Sequence, residues 1–343
     1  MNTQNLIIEL KALYNIPHEI YEKLKNINEE TVIIIKNIDT YNFMFRTVLD
    51  KLLIKKNYLP NNIKKIILCD LNFGNVIYYL PKTLTHLTFG NWFNQSIDNL
   101  PETLTYLTFG TNFDKPVDNL PETLTHLTFG YCFNQQVNNL PKTLTHLTFG
   151  DCFCQSVDNL PKTLSHLTFG TCFDQPVNNL PESLTHLTFD YFFNRSVNNL
   201  PKTLTHLTFG YYFNQFVDNL PENLTHLTFG IIFNKSVDNL PENITHLTFG
   251  YCFNQPVDNL PKTLTHLTFD YSFNKKVNNL PKSLTHLTFG KNFNQSVDNL
   301  PETITHLTFG DCFKKTIYNL PKNLTYLVIG KLFNKKVDTR KSI

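Results

Sequence analysis

The residues best equipped for chemistry are eleven histidines set twenty residues apart or at multiples of it. They are His86, His126, His146, His166, His186, His206, His226, His246, His266, His286 and His306; Tyr106 and Tyr326 fill the two other places in the row. Imidazole titrates near neutral pH and ligates transition metals, so such a row suggests metal capture or a pH switch. A tetrahedral site, however, needs ligands that converge, and a straight row offers two neighbours from one side. No carboxylate joins the row to complete a site, because the neighbouring outward places hold Thr. The remaining reading is a stack of rings copied by duplication, and it is the simpler one. Whatever its origin, a stacked row resists protonation. Two imidazolium charges ~5 Å apart in water repel by about 0.8 kcal/mol, which holds the row below the free value of ~6.5.

Cys132, Cys152 and Cys172 also recur at twenty-residue spacing. Parallel side-chain directions disfavour bridging, and the spacing does not suit a zinc-thiolate site. Seven cysteines form no disulfide framework, which is expected of reduced thiols in an intracellular, cytoplasmic chain. No apolar run precedes a small-residue cleavage site, and none is long enough to cross a bilayer. The net charge is +2, about +1 on either side of Pro60, so no basic patch for nucleic acid is visible. No phosphate loop, nucleophile motif or cofactor signature is present. Catalysis needs an asymmetric constellation, and nearly uniform repeats do not provide one.

What positions these residues is the repeat itself. A proline recurs every 20 residues from Pro81 to Pro321, which defines thirteen units without insertion or deletion. Counted from that proline, each unit reads P-x-x-L-T-H-L-T-F-G-x-x-F-N-x-x-V-x-N-L. Positions 6 to 10 alternate as a half-buried strand does, with Leu and Phe inward and His, Thr and Gly outward. Gly at position 10 can supply a φ > 0 turn that ends the strand. Apolar residues at positions 13, 17 and 20 suit an irregular or 3₁₀-like return. One unit cannot bury its own apolar residues, but stacked units can. The expected fold is therefore a repeat solenoid: a parallel β-sheet with one strand per 20-residue coil, over residues 60–343, with a degenerate first unit from Pro60. Fourteen such coils would extend roughly 65 Å at ~4.8 Å per coil.

Three columns follow from that stacking. Position 13 gives an aromatic spine of Phe93, Phe113, Phe133, Phe153, Phe173, Phe193, Phe213, Phe233, Phe253, Phe273, Phe293, Phe313 and Phe333. Position 19 gives Asn99, Asn119, Asn139, Asn159, Asn179, Asn199, Asn219, Asn239, Asn259, Asn279, Asn299 and Asn319, expected to bond the backbone of adjacent coils. Position 14 is Asn in nine of thirteen units and reads as optional. Binding information sits at the variable positions 11 and 12. The cluster Tyr191, Phe192, Tyr211 and Tyr212 is the favoured contact patch if it faces solvent, alongside the sheet face that carries the histidines and Tyr106.

The motifs FNQSVDNLP, FNQPVDNLP and FDKPVDNLP resemble the FNIP (IP22) repeat of slime moulds and giant amoebal viruses. The L-x-x-L-x-F pattern also resembles leucine-rich repeats. The resemblance implies a solenoid that binds an unidentified protein partner rather than an enzyme. The unit is 20 residues where the family name suggests about 22, and position 16 is Pro only at Pro116, Pro176 and Pro256. Residues 1–59 lack the pattern and are expected to form a small, mostly helical cap. Leu6 to Leu13 and Tyr41 to Lys55 read as helices, and Thr31 to Lys36 as a short strand. Ile16 to Leu24, IPHEIYEKL, resembles the opening of an F-box. That implies an alternative role as an adaptor joined to a ubiquitin ligase through a Skp1-type partner. The last lysines and Arg340 would protect the terminal coil from edge pairing.

Overall fold

The computed structural model describes the backbone of residues 5–10 and 32–37, and residues 63–69 and 80–334 in full. The chain divides into two compact units, Met1–Gly170 and Thr171–Ile343. The first holds β1 (Asn5–Leu10), β2 (Val32–Asn37), β3 (Lys65–Cys69), β4 (His86–Phe89), β5 (Tyr106–Thr108), β6 (His126–Thr128), β7 (His146–Thr148) and β8 (His166–Thr168). The second holds β9 (His186–Thr188), β10 (His206–Thr208), β11 (His226–Thr228), β12 (His246–Thr248), β13 (His266–Thr268), β14 (His286–Thr288), β15 (His306–Thr308) and β16 (Tyr326–Val328).

Within each unit every strand pairs in parallel with its neighbours in sequence. From β4 to β8 and from β9 to β16 the register is twenty residues, as in Leu107↔Leu127 and Leu207↔Leu227. Each strand is short. Its ladder is extended at both ends by bonds such as Thr125 N–H to the Thr105 carbonyl at 2.9 Å and Phe109 N–H to the Thr128 carbonyl at 2.9 Å. The return is made of single turns. Leu124 N–H donates to the Pro121 carbonyl at 3.1 Å within the coil, and Cys132 N–H donates to the Thr111 carbonyl of the preceding coil at 2.8 Å.

The N-terminal segment departs from expectation. Asn5–Leu10 is a strand, not the start of a helix, and it pairs in register with Val32–Asn37, which in turn pairs with β3. Adjacent β-branched Ile7 and Ile8 fit a pleated ladder better than a helix, and a partner strand is available. The spacing of Leu6 and Leu13 carries no information about that partner. The expected helix over Tyr41–Lys55, the F-box-like Ile16–Leu24 and the charges after Asn334 lie outside the described residues.

The core of each coil is the set of apolar positions 4, 7, 9, 13, 17 and 20. In one coil these are Leu124, Leu127, Phe129, Phe133, Val137 and Leu140, all buried. Two phenylalanine columns form where the sequence suggests one spine. Position 13 rings stack between coils at 5.9–6.2 Å, as in Phe193–Phe213. Position 9 rings do so at 5.5–5.9 Å. Inside a coil the two rings lie face to face, 3.6 Å apart for Phe209 and Phe213. Each ring therefore has aromatic neighbours within its coil and along its column.

Gly at position 10 has a different cause from the turn expected of it. None of the glycines from Gly110 to Gly330 sits at φ > 0. A Cβ on Gly230 would lie 1.6 Å from the carbonyl oxygen of Gly210, and one on Gly150 would lie 1.8 Å from that of Gly130. Close approach of successive backbones crowds out a side chain at these glycines, although Asp190 and Asp270 occupy the same position in two coils.

Two substitutions test this packing. Phe213→Ala should cost about 3–5 kcal/mol, the range for a fully buried phenylalanine, read as a lower denaturant midpoint. Gly230→Ala should destabilise by about 1–3 kcal/mol through overpacking. A midpoint unchanged within error in either variant would show that the coils are not this closely stacked.

Candidate functional site

Two surfaces outside the core carry the side chains singled out by sequence: the outward sheet face and the rim that follows each strand. On the sheet face, strand pairing brings the position 6 residues of adjacent coils together. In the first unit the order is His86, Tyr106, His126, His146, His166, with ring centroids 4.1–4.2 Å apart. In the second it is His186 through His306, again at 4.1–4.2 Å. Tyr326 closes that row less well, tilted at 5.5 Å from His306.

A hydroxyl at position 5 fixes each imidazole. Thr125 Oγ1 donates to the Thr105 carbonyl at 3.0 Å and lies 2.9 Å from His126 Nδ1. The same pair of contacts recurs at Thr225 with His226 and Thr265 with His266, and Ser165 substitutes for Thr beside His166. Each hydroxyl thus sits between a carbonyl of the preceding coil and Nδ1, which leaves Nε2 as the ring nitrogen that this contact does not engage.

Burial and neighbouring charges depress the basicity of five imidazoles in this row. His266 is lowered by partial burial first, then by His246, His286, His226 and His306. His126, His246 and His286 are lowered by the same two causes, and His86 by burial, Lys65 and His126. Among the described residues no group of three or more His, Cys, Asp or Glu is placed to hold a metal ion. No disulfide joins any two of the seven cysteines.

The polar columns are arranged differently from the sequence reading. Position 19 asparagines are exposed, and Asn119, Asn139, Asn159, Asn239, Asn259 and Asn279 bond a side chain of the preceding coil, not its backbone. Asn119 Nδ2 donates to Asp98 Oδ1 at 3.0 Å, and Asn239 Nδ2 to Asp218 Oδ1 at 3.0 Å. The turn at positions 18 and 19 points both side chains outward, which puts the amide beside the preceding carboxylate. Ser96 and Asn119 together hold the Asp98 carboxyl below its usual range.

The rung to backbone is instead at position 14. Asn94 Oδ1 accepts Asp114 N–H at 3.0 Å, Asp114 Oδ1 accepts Asn134 N–H at 3.0 Å, and the series continues through Asn194, Asn214, Asn234, Asn254 and Asn274. Only an acceptor oxygen is required, so Asp114 and Asp174 are equivalents and not exceptions. Position 3 supplies a further rung that sequence reasoning missed. Thr123 Oγ1 contacts both the Glu102 and Leu104 carbonyls at 2.7 Å, and Asn223 Nδ2 donates to the Lys202 carbonyl at 2.9 Å. The signal was available, since position 3 is Thr, Ser or Asn in every unit.

The second unit's rim carries a run of aromatic residues, whereas in the first unit Trp92 and Tyr131 stand exposed in separate coils. Tyr191 and Tyr211 lie 4.7 Å apart, Phe192 and Tyr212 stack at 5.5 Å, and Tyr251 and Tyr271 stack at 4.4 Å. Phe192 is 47% exposed and Phe216 62% exposed. Partial burial and the adjacent Tyr212 and Tyr211 raise the Tyr191 phenol; burial and Tyr271 raise Tyr251. Asp190 and Asp270, the two residues other than Gly at position 10, stand exposed beside this run.

In each unit, parallel strands on a 20-residue coil with buried Leu and Phe define a leucine-rich-repeat-like scaffold. The chain belongs to the FNIP repeat family: the FNIP Repeat profile matches twelve windows, most of them overlapping, from 53–92 to 293–332. It is similar to CroV588, described as a novel circular LRR protein, at 38% identity and a TM-score of 0.74 over 98% of this chain and 61% of that one. The chain thus spans less than two thirds of that protein's length. It is also similar to YopM from Yersinia enterocolitica WA-314, at 18% identity and TM-score 0.44 over 81% of this chain and 71% of that one. For an internalin (inlF) from Listeria monocytogenes str. 4b F2365 the values are 16% and 0.45, over 83% and 79%. No curated protein matches the chain. Among the described residues no helix is long and apolar enough to cross a membrane.

The depressed basicity of His86, His126, His246, His266 and His286 has a signed consequence for stability. Unfolding releases imidazoles to their ordinary value near 6.5, so below that pH the unfolded chain binds more protons than the folded one. Stability should be full above about pH 7.5 and fall as pH drops through 6.5 toward the lower folded values. Melting temperatures across pH 7.5 to 5 check this; a flat profile would contradict it.

Proposed function

We propose that the chain is a non-enzymatic interaction scaffold that binds a protein partner through the aromatic rim of its second unit. The observation that carries this reading is the run at position 11: Tyr191, Tyr211, Ile231, Tyr251 and Tyr271 in five successive units. In the units before it, position 11 holds Asn91, Thr111, Tyr131, Asp151 and Thr171, so the repeat does not demand an apolar residue there. Tyr191, Ile231 and Tyr251 are exposed, and Phe192 and Tyr212 widen the run at position 12. Clustered, pre-stacked aromatic residues give much contact area at low entropic cost, which is how interface anchors work.

The charges beside the run support a protein ligand. Asp190 and Asp270 stand at the two ends of the five-unit run, at a position where a Cβ elsewhere would meet the preceding backbone. Asp190 accepts a bond from Thr171 Oγ1 at 3.2 Å and Asp270 one from Tyr271 N–H at 2.8 Å, so both carboxylates are anchored at the borders of the patch. Carboxylates at a rim confer orientation and selectivity more than affinity. Seven cysteines without a disulfide suit an intracellular place of action.

Affinity purification with the full chain as bait tests the reading. Replacing Tyr211 and Tyr251 by Ser should lower recovery of the captured partner by about tenfold or more, the effect of losing at least ~1.4 kcal/mol. Undiminished recovery with the doubly substituted bait would show that the partner docks elsewhere.

A further inference from the structure

The histidine row is not explained by the scaffold role. Stacking alone does not require imidazole, because Tyr106 takes the same place between His86 and His126 with ring spacings of 4.2 and 4.1 Å. Yet the second unit keeps seven imidazoles in succession, His186 to His306, with rings 10–12° from parallel. The position 5 hydroxyls lie 2.9 Å from Nδ1, which fixes the ring orientation along the row and leaves Nε2 outside that contact.

We propose that this row, His186 to His306, is an acid-gated track for a linear polyphosphate-type anion, a chain of phosphate groups bound along the sheet face. At pH 7.5, a full unit above its ordinary value near 6.5, an imidazole is mostly neutral. The track's outward neighbours are the position 5 and position 8 hydroxyls. The row neighbour at the C-terminal side is Tyr326. The carboxylates on the same face, Asp190 and Asp270, stand four residues farther along their coils, about 13 Å at the rise of a strand. Four residues before each histidine, position 2 carries mixed charges: Glu182, Lys202, Glu222, Glu242, Lys262, Lys282 and Glu302. The row itself, His186 to His306, contains no carboxylate.

When protons arrive, the charges line up one coil apart in single file. A row so dense cannot fill with protons unless an anion compensates it, so binding and protonation assist one another by linkage. Ligand geometry follows from the stack. The imidazole faces cover each other, which leaves no ring face to receive a base, so a stacking platform for single-stranded nucleic acid is lacking. An extended acidic peptide presents same-side carboxylates about 6.8 Å apart, which does not follow a pitch of 4.1–4.2 Å. A flexible chain of closely spaced phosphates can follow it.

The test uses the full chain and inorganic polyphosphate of about 100 phosphates at fixed ionic strength, at pH 7.5, 6.5 and 5.5. Binding should be at least about tenfold tighter at pH 5.5 than at 7.5 and should weaken steeply with salt. The variant His226→Tyr/His246→Tyr/His266→Tyr, which copies the natural occurrence of Tyr106 in the row, should lose most of that gain while melting like the parent at pH 7.5. Proton uptake gives an independent readout: polyphosphate should raise the histidine titration midpoint seen by NMR in the parent chain. Affinity that is the same at all three pH values, or a gain untouched in the tyrosine variant, would overturn the proposal. So would an unmoved titration midpoint. Equal or tighter binding of a single-stranded oligonucleotide or of polyglutamate at pH 5.5 would overturn the assignment to phosphate chains.

Discussion

The whole architecture depends on one constraint, that residue n of one coil lies against residue n of the next. Parallel strand pairing at a fixed interval of twenty enforces it, as in His226↔His246 and Leu227↔Leu247. Every other feature is a column generated by that register: leucines buried on leucines, phenylalanines stacked on phenylalanines, hydroxyls and amides bonded to the coil below. A single coil has neither a core nor enough partners for its backbone groups. Its stability is mostly an interface term with its neighbours. Hydrophobic burial supplies the drive, and glycine at position 10 of most coils lets the backbones approach closely.

The solenoid was legible in the sequence because period-two alternation and a strict 20-residue repeat are both geometric statements. Leu207, Phe209 and Phe213 could be placed in the core from pattern alone, and they are buried. What pattern did not convey was the direction of turns. Asn119 looked internal because it precedes buried Leu120, yet the turn at positions 18 and 19 carries it outward to Asp98. Conversely, Asn94 and Asp114 looked interchangeable and therefore dispensable. They are interchangeable because only an acceptor oxygen is needed, which is a structural requirement that residue identity conceals. The segment Asn5–Leu10 was misread for another reason: its strand partner, Val32–Asn37, is remote in sequence.

The candidate surfaces divide along the same line. The histidine row was visible as a row, but the hydroxyl that orients each imidazole was not, since position 5 gave no hint that it would contact both a carbonyl and an imidazole. The aromatic rim was visible only as a departure from uniformity. In a chain this repetitive, what duplication copies defines the scaffold, and what it fails to copy, such as Asp190, Tyr191 and Asp270, carries the individuality of the protein.

The side-chain rungs at positions 3, 5, 15 and 19 share a polarity. Thr123 reaches back to Glu102 and Leu104, Thr125 to Thr105, Gln135 to Asp114, and Asn119 to Asp98; in each the donor belongs to the later coil and the acceptor to the earlier one. A coil emerging from the ribosome thus finds its acceptors already laid down by the coil made before it. Growth of the solenoid can keep pace with translation, each turn templated on the last, without waiting for the chain to be finished.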